Sequence, residues 1–307
     1  MQANPSCDRN VTVHPEPPSL TTESTHQHQQ VYQDREEITS ADDRALHCSL
    51  LVRLQPNGTG TTVIFSPSFR NTAICYQDLA GQLAPDLPTY SFNWPQPTVD
   101  NPPADTLPSI AGEFLQELKT QVPHGPYIVG GYCFGAVIAL EMAKQLSSSG
   151  EQITLLVLID PVRPSTGNQW QRWKLRRRHS LRLLRYHGIR FFIRSQYRRA
   201  IAMIQYLHSG AKERLEQQFH TAQRRAFYHY QARPSPHRAL LVFSHAEQQE
   251  NEKERSRHEK DSWKEILPHG QEILILPGSS HHTILSAGAA KIAERIRAIS
   301  GESKNTR

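Results

Sequence analysis

The chain has 307 residues, 37% of them hydrophobic, with a net charge of +6 and a mean hydropathy of −0.59. That length supports one large α/β domain with a sizeable core. No apolar run is long enough for a signal peptide or a membrane span, so the expected location is cytoplasmic. The four cysteines, Cys7, Cys48, Cys75 and Cys133, form no C-x-x-C pair. That spacing gives no support to a zinc site or a redox dithiol, and neither a metal nor a cofactor is expected.

Residues 1–44 carry Pro5, Pro15, Pro17, Pro18 and a Gln/His tract, with no apolar periodicity. This composition predicts a disordered lead-in. One folded domain is expected over 45–300, and a flexible tail over 301–307. Within the domain, short apolar runs alternate with helix-like stretches. Strands are expected at 46–54, 61–66, 89–92, 127–131, 154–159, 239–244 and 272–276. Helices are expected at 74–83, 107–122, 134–147 and 287–299, with Pro108 in a first turn and Gly150 as a C-terminal stop. Near-continuous apolar strands such as TLLVLI (154–159) suit burial on both faces. The pattern predicts an α/β fold with a mostly parallel sheet flanked by helices.

A long segment, about 165–232, interrupts the alternation and is expected to be a helical lid inserted over the sheet edge. Between Pro161 and Ala200 the chain carries twelve Lys or Arg and no Asp or Glu, which leaves the remainder net acidic. So local a charge should attract an anionic partner. Trp170, Trp173, Leu181, Leu184, Phe191, Phe192 and Ile193 interleave with the arginines, a pattern also suited to an anionic membrane surface. No nucleic-acid motif accompanies the charge, so nucleic acid is not an expected partner.

At the centre, Gly131-Tyr132-Cys133-Phe134-Gly135 lies between a strand run and a helix run. This is the pattern of a nucleophile elbow, G-x-S-x-G, with cysteine in place of serine. The glycines let the chain pass through a sharp strand-to-helix turn that strains the central residue. The following helix aims its amides at the sulfur and favours a thiolate. A buried structural cysteine in a glycine-rich turn is the competing explanation, and the flanking strand and helix argue against it. A base is expected on the loop after the last strand, where His281 and His282 stand; His281 is favoured. Two acids compete to orient it: Asp160, at the carboxyl end of the 154–159 strand, and Glu247, after the next strand. The oxyanion hole is expected from the backbone N–H of Phe134 and one around Ser68 and Phe69.

Residues 126–146 (PYIVGGYCFGAVIALEMAKQL) resemble the core of the thioesterase domains that end nonribosomal peptide and polyketide synthases. Residues 64–79, 155–161 and 263–285 resemble the flanking motifs of the same family in the same order. The resemblance covers about residues 46–299 and implies an α/β-hydrolase fold. It places the acid after the strand that follows the elbow, which selects Asp160 over Glu247. Aligning the family's histidine motif on Thr283 selects His281 over His282. It further implies a phosphopantetheine-bound acyl, peptidyl or polyketide substrate on a carrier protein. No carrier-protein or adenylation segment is visible in the sequence, so a free-standing enzyme is expected. Three departures are visible: the cysteine, a first loop without the usual glycines (Ser68-Phe69-Arg70-Asn71), and the basic lid. A cysteine acyl-enzyme is a thioester, activated toward amines, so transfer as well as hydrolysis is expected. The alternative is a carrier-protein or membrane-surface binder that kept the fold and lost catalysis.

Overall fold

The computed structural model describes residues 50–69, 71–98, 102–164, 210–245 and 261–305. Seven strands form one sheet: β1 (Leu51–Gln55), β2 (Thr62–Ser66), β3 (Thr89–Phe92), β4 (Tyr127–Tyr132), β5 (Ile153–Ile159), β6 (Ala239–His245) and β7 (Gln271–Pro277). Their order across the sheet is β1-β3-β2-β4-β5-β6-β7. β1 runs antiparallel to β3, and every other pairing is parallel. The helices are a 3₁₀ turn (Ala73–Tyr76) leading into α1 (Gln77–Leu83), then α2 (Leu107–Gln121), α3 (Phe134–Ser148), α4 (Ala211–His229), α5 (Ile284–Ala287) and α6 (Ala289–Asn305).

Side-chain alternation along each strand explains the two-sided core. On β5, Leu156 and Leu158 face one apolar layer with Phe114, Val137 and Met142 of α2 and α3. Leu155 and Val157 face the other, with Leu79 of α1 and Ile292 and Ile296 of α6. All five apolar side chains from Leu155 to Ile159 are fully buried. Each such side chain contributes about 1.5–3 kcal/mol of transfer free energy, which is why these strands read as unbroken apolar runs.

Local signals set the helix ends. Thr106 caps α2 by accepting from the Ser109 amide at 3.3 Å, with Pro108 in the first turn. After α3, Gly150 takes φ +88°, and the Glu151 amide closes back onto the Leu146 carbonyl at 3.0 Å. No neighbour lies within 4 Å of where a Gly150 Cβ would stand, so its role is conformational.

The helix expected at 287–299 is α6, which begins after a break at Gly288, where a Cβ would lie 2.4 Å from Leu276 Cδ1. It runs to Asn305 and so takes in residues 301–305 of the stretch expected as a tail. The expected lead-in at 1–44, the lid stretch 165–209 with its arginines, and Glu247 lie outside the described residues. Of the lid, residues 210–232 are described, and α4 accounts for most of them.

Candidate active site

Cys133 stands between β4 and α3 with φ 55° and ψ −116°, a region that costs a non-glycine residue about 1–3 kcal/mol. Close packing imposes this geometry. A Cβ on Gly131 would lie 2.3 Å from the Gly135 carbonyl, and one on Gly135 would lie 2.8 Å from the Pro67 carbonyl oxygen. The first turn of α3 therefore lies directly against β4 and the loop after β2, and only hydrogen fits at either position. Polar contacts fasten the same turn. Ser66 Oγ donates to the Gly135 carbonyl at 2.5 Å. The Tyr76 hydroxyl donates to the Ser66 carbonyl at 2.8 Å and accepts from the Tyr132 amide at 2.9 Å. The Cys133 amide donates to the Ile159 carbonyl at 2.9 Å, tying the elbow to the end of β5.

Asp160 follows directly on β5. It too has a left-handed backbone, φ 44°, and its amide donates to the Val242 carbonyl at 2.7 Å. This turn points the carboxylate along the sheet edge. Oδ1 accepts from the Ser244 amide at 3.0 Å, and Oδ2 accepts from the Ser244 hydroxyl at 2.8 Å. His281 Nδ1 lies 2.8 Å from Oδ2. Burial alone would raise the Asp160 carboxyl, but the bonds from His281 and from the Ser244 amide and hydroxyl outweigh it. They hold the group below its ordinary value.

His281 sits on the loop after β7. That loop turns at Gly278, φ +75°, whose amide donates to the His245 carbonyl at 2.9 Å. The Ser280 amide donates to Thr283 Oγ1 at 2.9 Å. The Tyr132 hydroxyl donates to the His281 carbonyl at 2.5 Å, and the two rings are 4.8 Å apart. The bond to Asp160 first, and the one to Cys133 next, raise the imidazole to about 9 against the opposing effect of burial. With Nδ1 on Asp160, Nε2 is the nitrogen left for the sulfur. His282 stands edge-on against His281, ring centroids 5.6 Å apart.

Cys133, Asp160 and His281, three widely separated positions in the sequence, thus meet at the carboxyl edge of the sheet. Phe134 is the first residue of α3, where backbone amides have no intrahelical acceptor. Ser68 is buried in the loop after β2, and its carbonyl accepts from Trp94 Nε1 at 2.8 Å. Phe69, beside it, stacks on Phe134 at 4.0 Å. Sequence reasoning missed Ser244, Tyr132 and Tyr76 as supports of the site. Only the small hydroxyl at the carboxyl end of β6, beside the strand that carries the acid, could have signalled Ser244.

A nucleophile elbow at the centre of a mostly parallel, helix-flanked sheet, with a histidine after the last strand, defines the α/β-hydrolase class. A family model for the thioesterase domain matches residues 61–300, and the chain belongs to that family. Among curated relatives, a 101-residue stretch is 32% identical to the nonribosomal peptide synthetase btyA of Aspergillus terreus, covering 33% of this chain and 11% of that protein. A 116-residue stretch is 33% identical to indigoidine synthase of Dickeya dadantii, covering 38% and 8% respectively. The chain therefore matches only a small part of these multidomain relatives. Among solved structures, the NocB thioesterase domain in covalent complex with a fluorophosphonate nocardicin G analog superposes with a TM-score of 0.54 at 22% identity, covering 82% of this chain and 99% of that one. YbtT, a type II thioesterase from the yersiniabactin pathway, superposes with a TM-score of 0.52 at 17% identity, covering 83% and 99%. Among the described residues, no helix is long and apolar enough to cross a membrane.

Proposed function

We propose that this thioesterase-family chain takes an acyl group from a carrier-bound thioester onto Cys133 and passes it to water or to a nucleophilic acceptor. The observation that carries the reading is the strained half-buried cysteine at φ 55° with His281 bridging it to Asp160. The Cys133 sulfur adds to the thioester carbonyl, and its proton goes to His281 Nε2. The tetrahedral intermediate collapses by breaking the bond to the pantetheine sulfur, which leaves with the proton that His281 returns. In the second half, water or an amine adds to the Cys133 thioester and gives its proton to His281. Cys133 then departs as thiol. Asp160 holds the imidazole by its Nδ1 and stabilises its charged form throughout. The Phe134 amide, with one from the Ser68–Phe69 loop, is the proposed oxyanion donor pair. The packing of Gly135 against Pro67 supports this, since it sets that loop against the start of α3.

The family and the synthases among its relatives support the substrate class: an acyl, peptidyl or polyketide group on a carrier protein's phosphopantetheine arm. The acidic character usual in carrier domains, which the family resemblance implies, complements the arginine-rich stretch 163–199. Acyl release measured with Cys133→Ala tests the reading. Loss of turnover is the expected result, whereas unchanged turnover removes Cys133 as the nucleophile.

A further inference from the structure

The lid helix α4 and the catalytic helix α3 share a buried polar contact that the proposed chemistry does not use. Glu141, two turns into α3, is 2% exposed. Its carboxylate accepts from the Tyr230 hydroxyl at 2.9 Å, from Lys144 Nζ at 3.2 Å and from Gln145 Nε2 at 3.1 Å. Tyr230 is the residue that ends α4, and it is buried as well. Burial first, and then the charge and hydrogen bond of Glu141, push its phenol well above the ordinary value, so the hydroxyl stays a donor. Apolar contacts between helices tolerate sliding. A buried carboxylate does not, because losing a donor leaves a desolvated charge. This contact therefore sets where the end of α4 rests on α3.

An aromatic cluster depends on that placement. Phe227, one turn before Tyr230, stands edge-on to Phe134 with ring centroids 5.8 Å apart. Phe219, two turns further back on α4, stands edge-on to Trp94 at 5.4 Å. Trp94 lies nearly parallel to Phe134 at 6.3 Å, and Phe69 stacks on Phe134 at 4.0 Å. Phe134 is covalently next to Cys133. Four of the five rings (Phe69, Trp94, Phe219 and Phe227) are only half-buried, so they present aromatic surface beside the elbow. Such surface favours planar apolar groups through offset and edge-on contacts, beyond what burial alone provides.

We propose that Glu141 and Tyr230 are positioning residues for acyl selection: their buried bond fixes α4 so that Phe219 and Phe227 complete, with Trp94 and Phe69 and backed by the buried Phe134, a wall that selects acyl groups bearing an aromatic ring. The proposal rests on the reading of Cys133 as the acyl-accepting residue. Neither Glu141 nor Tyr230 touches the reacting atoms, so their effect falls on KM and not on kcat.

The test compares phenylacetyl and acetyl thioesters of N-acetylcysteamine, both free of any carrier protein, on the full chain. The wild type is expected to show the lower KM for phenylacetyl. Tyr230→Phe keeps the ring and removes the hydroxyl. It is expected to raise the phenylacetyl KM roughly fivefold, with kcat and the acetyl KM little changed. Glu141→Gln keeps an acceptor for Tyr230 and should leave the phenylacetyl KM within about twofold of the wild type. Phe219→Leu, on the half-buried face of α4, should lower the phenylacetyl preference without any change at the latch. It also serves as the readout if Tyr230→Phe does not fold. No phenylacetyl preference in the wild type, or equal effects of Tyr230→Phe and Phe219→Leu on both thioesters, overturns the proposal. The two readings fail separately. If Cys133→Ala abolishes turnover while Tyr230→Phe leaves the KM ratio unchanged, only the latch fails. If Cys133→Ala turns over normally, it is the nucleophile assignment that falls.

Discussion

The elbow and the histidine loop meet at one sheet edge, yet they are held in different ways. Around Cys133 the backbone is fixed by steric fit: glycine hydrogens at 131 and 135 occupy space where no Cβ fits, and Ser66 and Tyr76 tie the same turn from behind. Around His281 the loop is held by side-chain bonds to Asp160, Tyr132 and Thr283, and the imidazole is 42% exposed. Cys133 is thus positioned by packing that cannot be altered piecemeal. His281 is positioned by separate polar contacts, each of which can be weakened. Substitutions at the first should act on folding, and substitutions at the second should grade the chemistry.

The largest effect on folding is expected from Gly135→Ala. Its Cβ would meet the Pro67 carbonyl, so the variant should lose about 1–3 kcal/mol or fail to fold, as read by denaturant unfolding. An unchanged midpoint would break the contrast, because it would show that the elbow has slack.

Next comes Asp160→Asn, with an expected loss of roughly 10²–10⁴ in kcat/KM and little change in fold. It should also return the His281 imidazole from about 9 toward its ordinary 6.5, measured by NMR titration. The sign of the linked stability follows. His281 is raised in the folded state, so the His281–Asp160 contribution is full below about pH 6.5 and fades as pH rises through about 9. Asp160 is lowered, so on the acid side its contribution is present above the ordinary carboxyl value and is lost as pH falls through the folded one. The difference in Tm between wild type and Asp160→Asn should therefore peak between about pH 4 and about pH 6.5 and shrink on either side.

A smaller effect is expected from Ser244→Ala, which removes the hydroxyl on Oδ2 but keeps the amide on Oδ1. About a tenfold loss in kcat/KM fits a single bond to a charged acceptor, and the Asp160 carboxyl should titrate higher than in the wild type. Tyr132→Phe, which loses one bond to the His281 carbonyl, should cost about fivefold or less. If either variant loses as much as Asp160→Asn, the polar contacts do not act separately and the contrast fails on that side.

Much of the fold was legible because its signals are local. Six of the seven strands announced themselves within about a residue of their observed ends, whereas the one expected from 46 begins at Leu51, and the elbow is carried by five consecutive residues. The placement of Cys133, Asp160 and His281 at one sheet edge was legible because each follows a recognisable strand. Ser244 was not, because its role depends on β5 and β6 pairing in the register Ile159 to Val242, which brings the two strand ends together. Tyr76 reads as one more apolar residue of a helix, although its hydroxyl links β2 to β4. Glu141 looks like a solvated helix charge in sequence, and only the arrival of Tyr230 from 89 residues away explains its burial. The break at Gly288 was hidden because the crowding there, from Leu276 of β7 and the Ile284 carbonyl, exists only once the chain is folded.

The most direct test of the central claim is to trap the acyl-enzyme. The full chain is mixed with an acyl thioester, quenched in acid, and analysed by intact mass and then peptide mapping. A mass gain equal to the acyl group, located on Cys133 and absent from Cys133→Ala, is the predicted result. An acyl group mapped to another residue, or turnover that survives in Cys133→Ala, contradicts it.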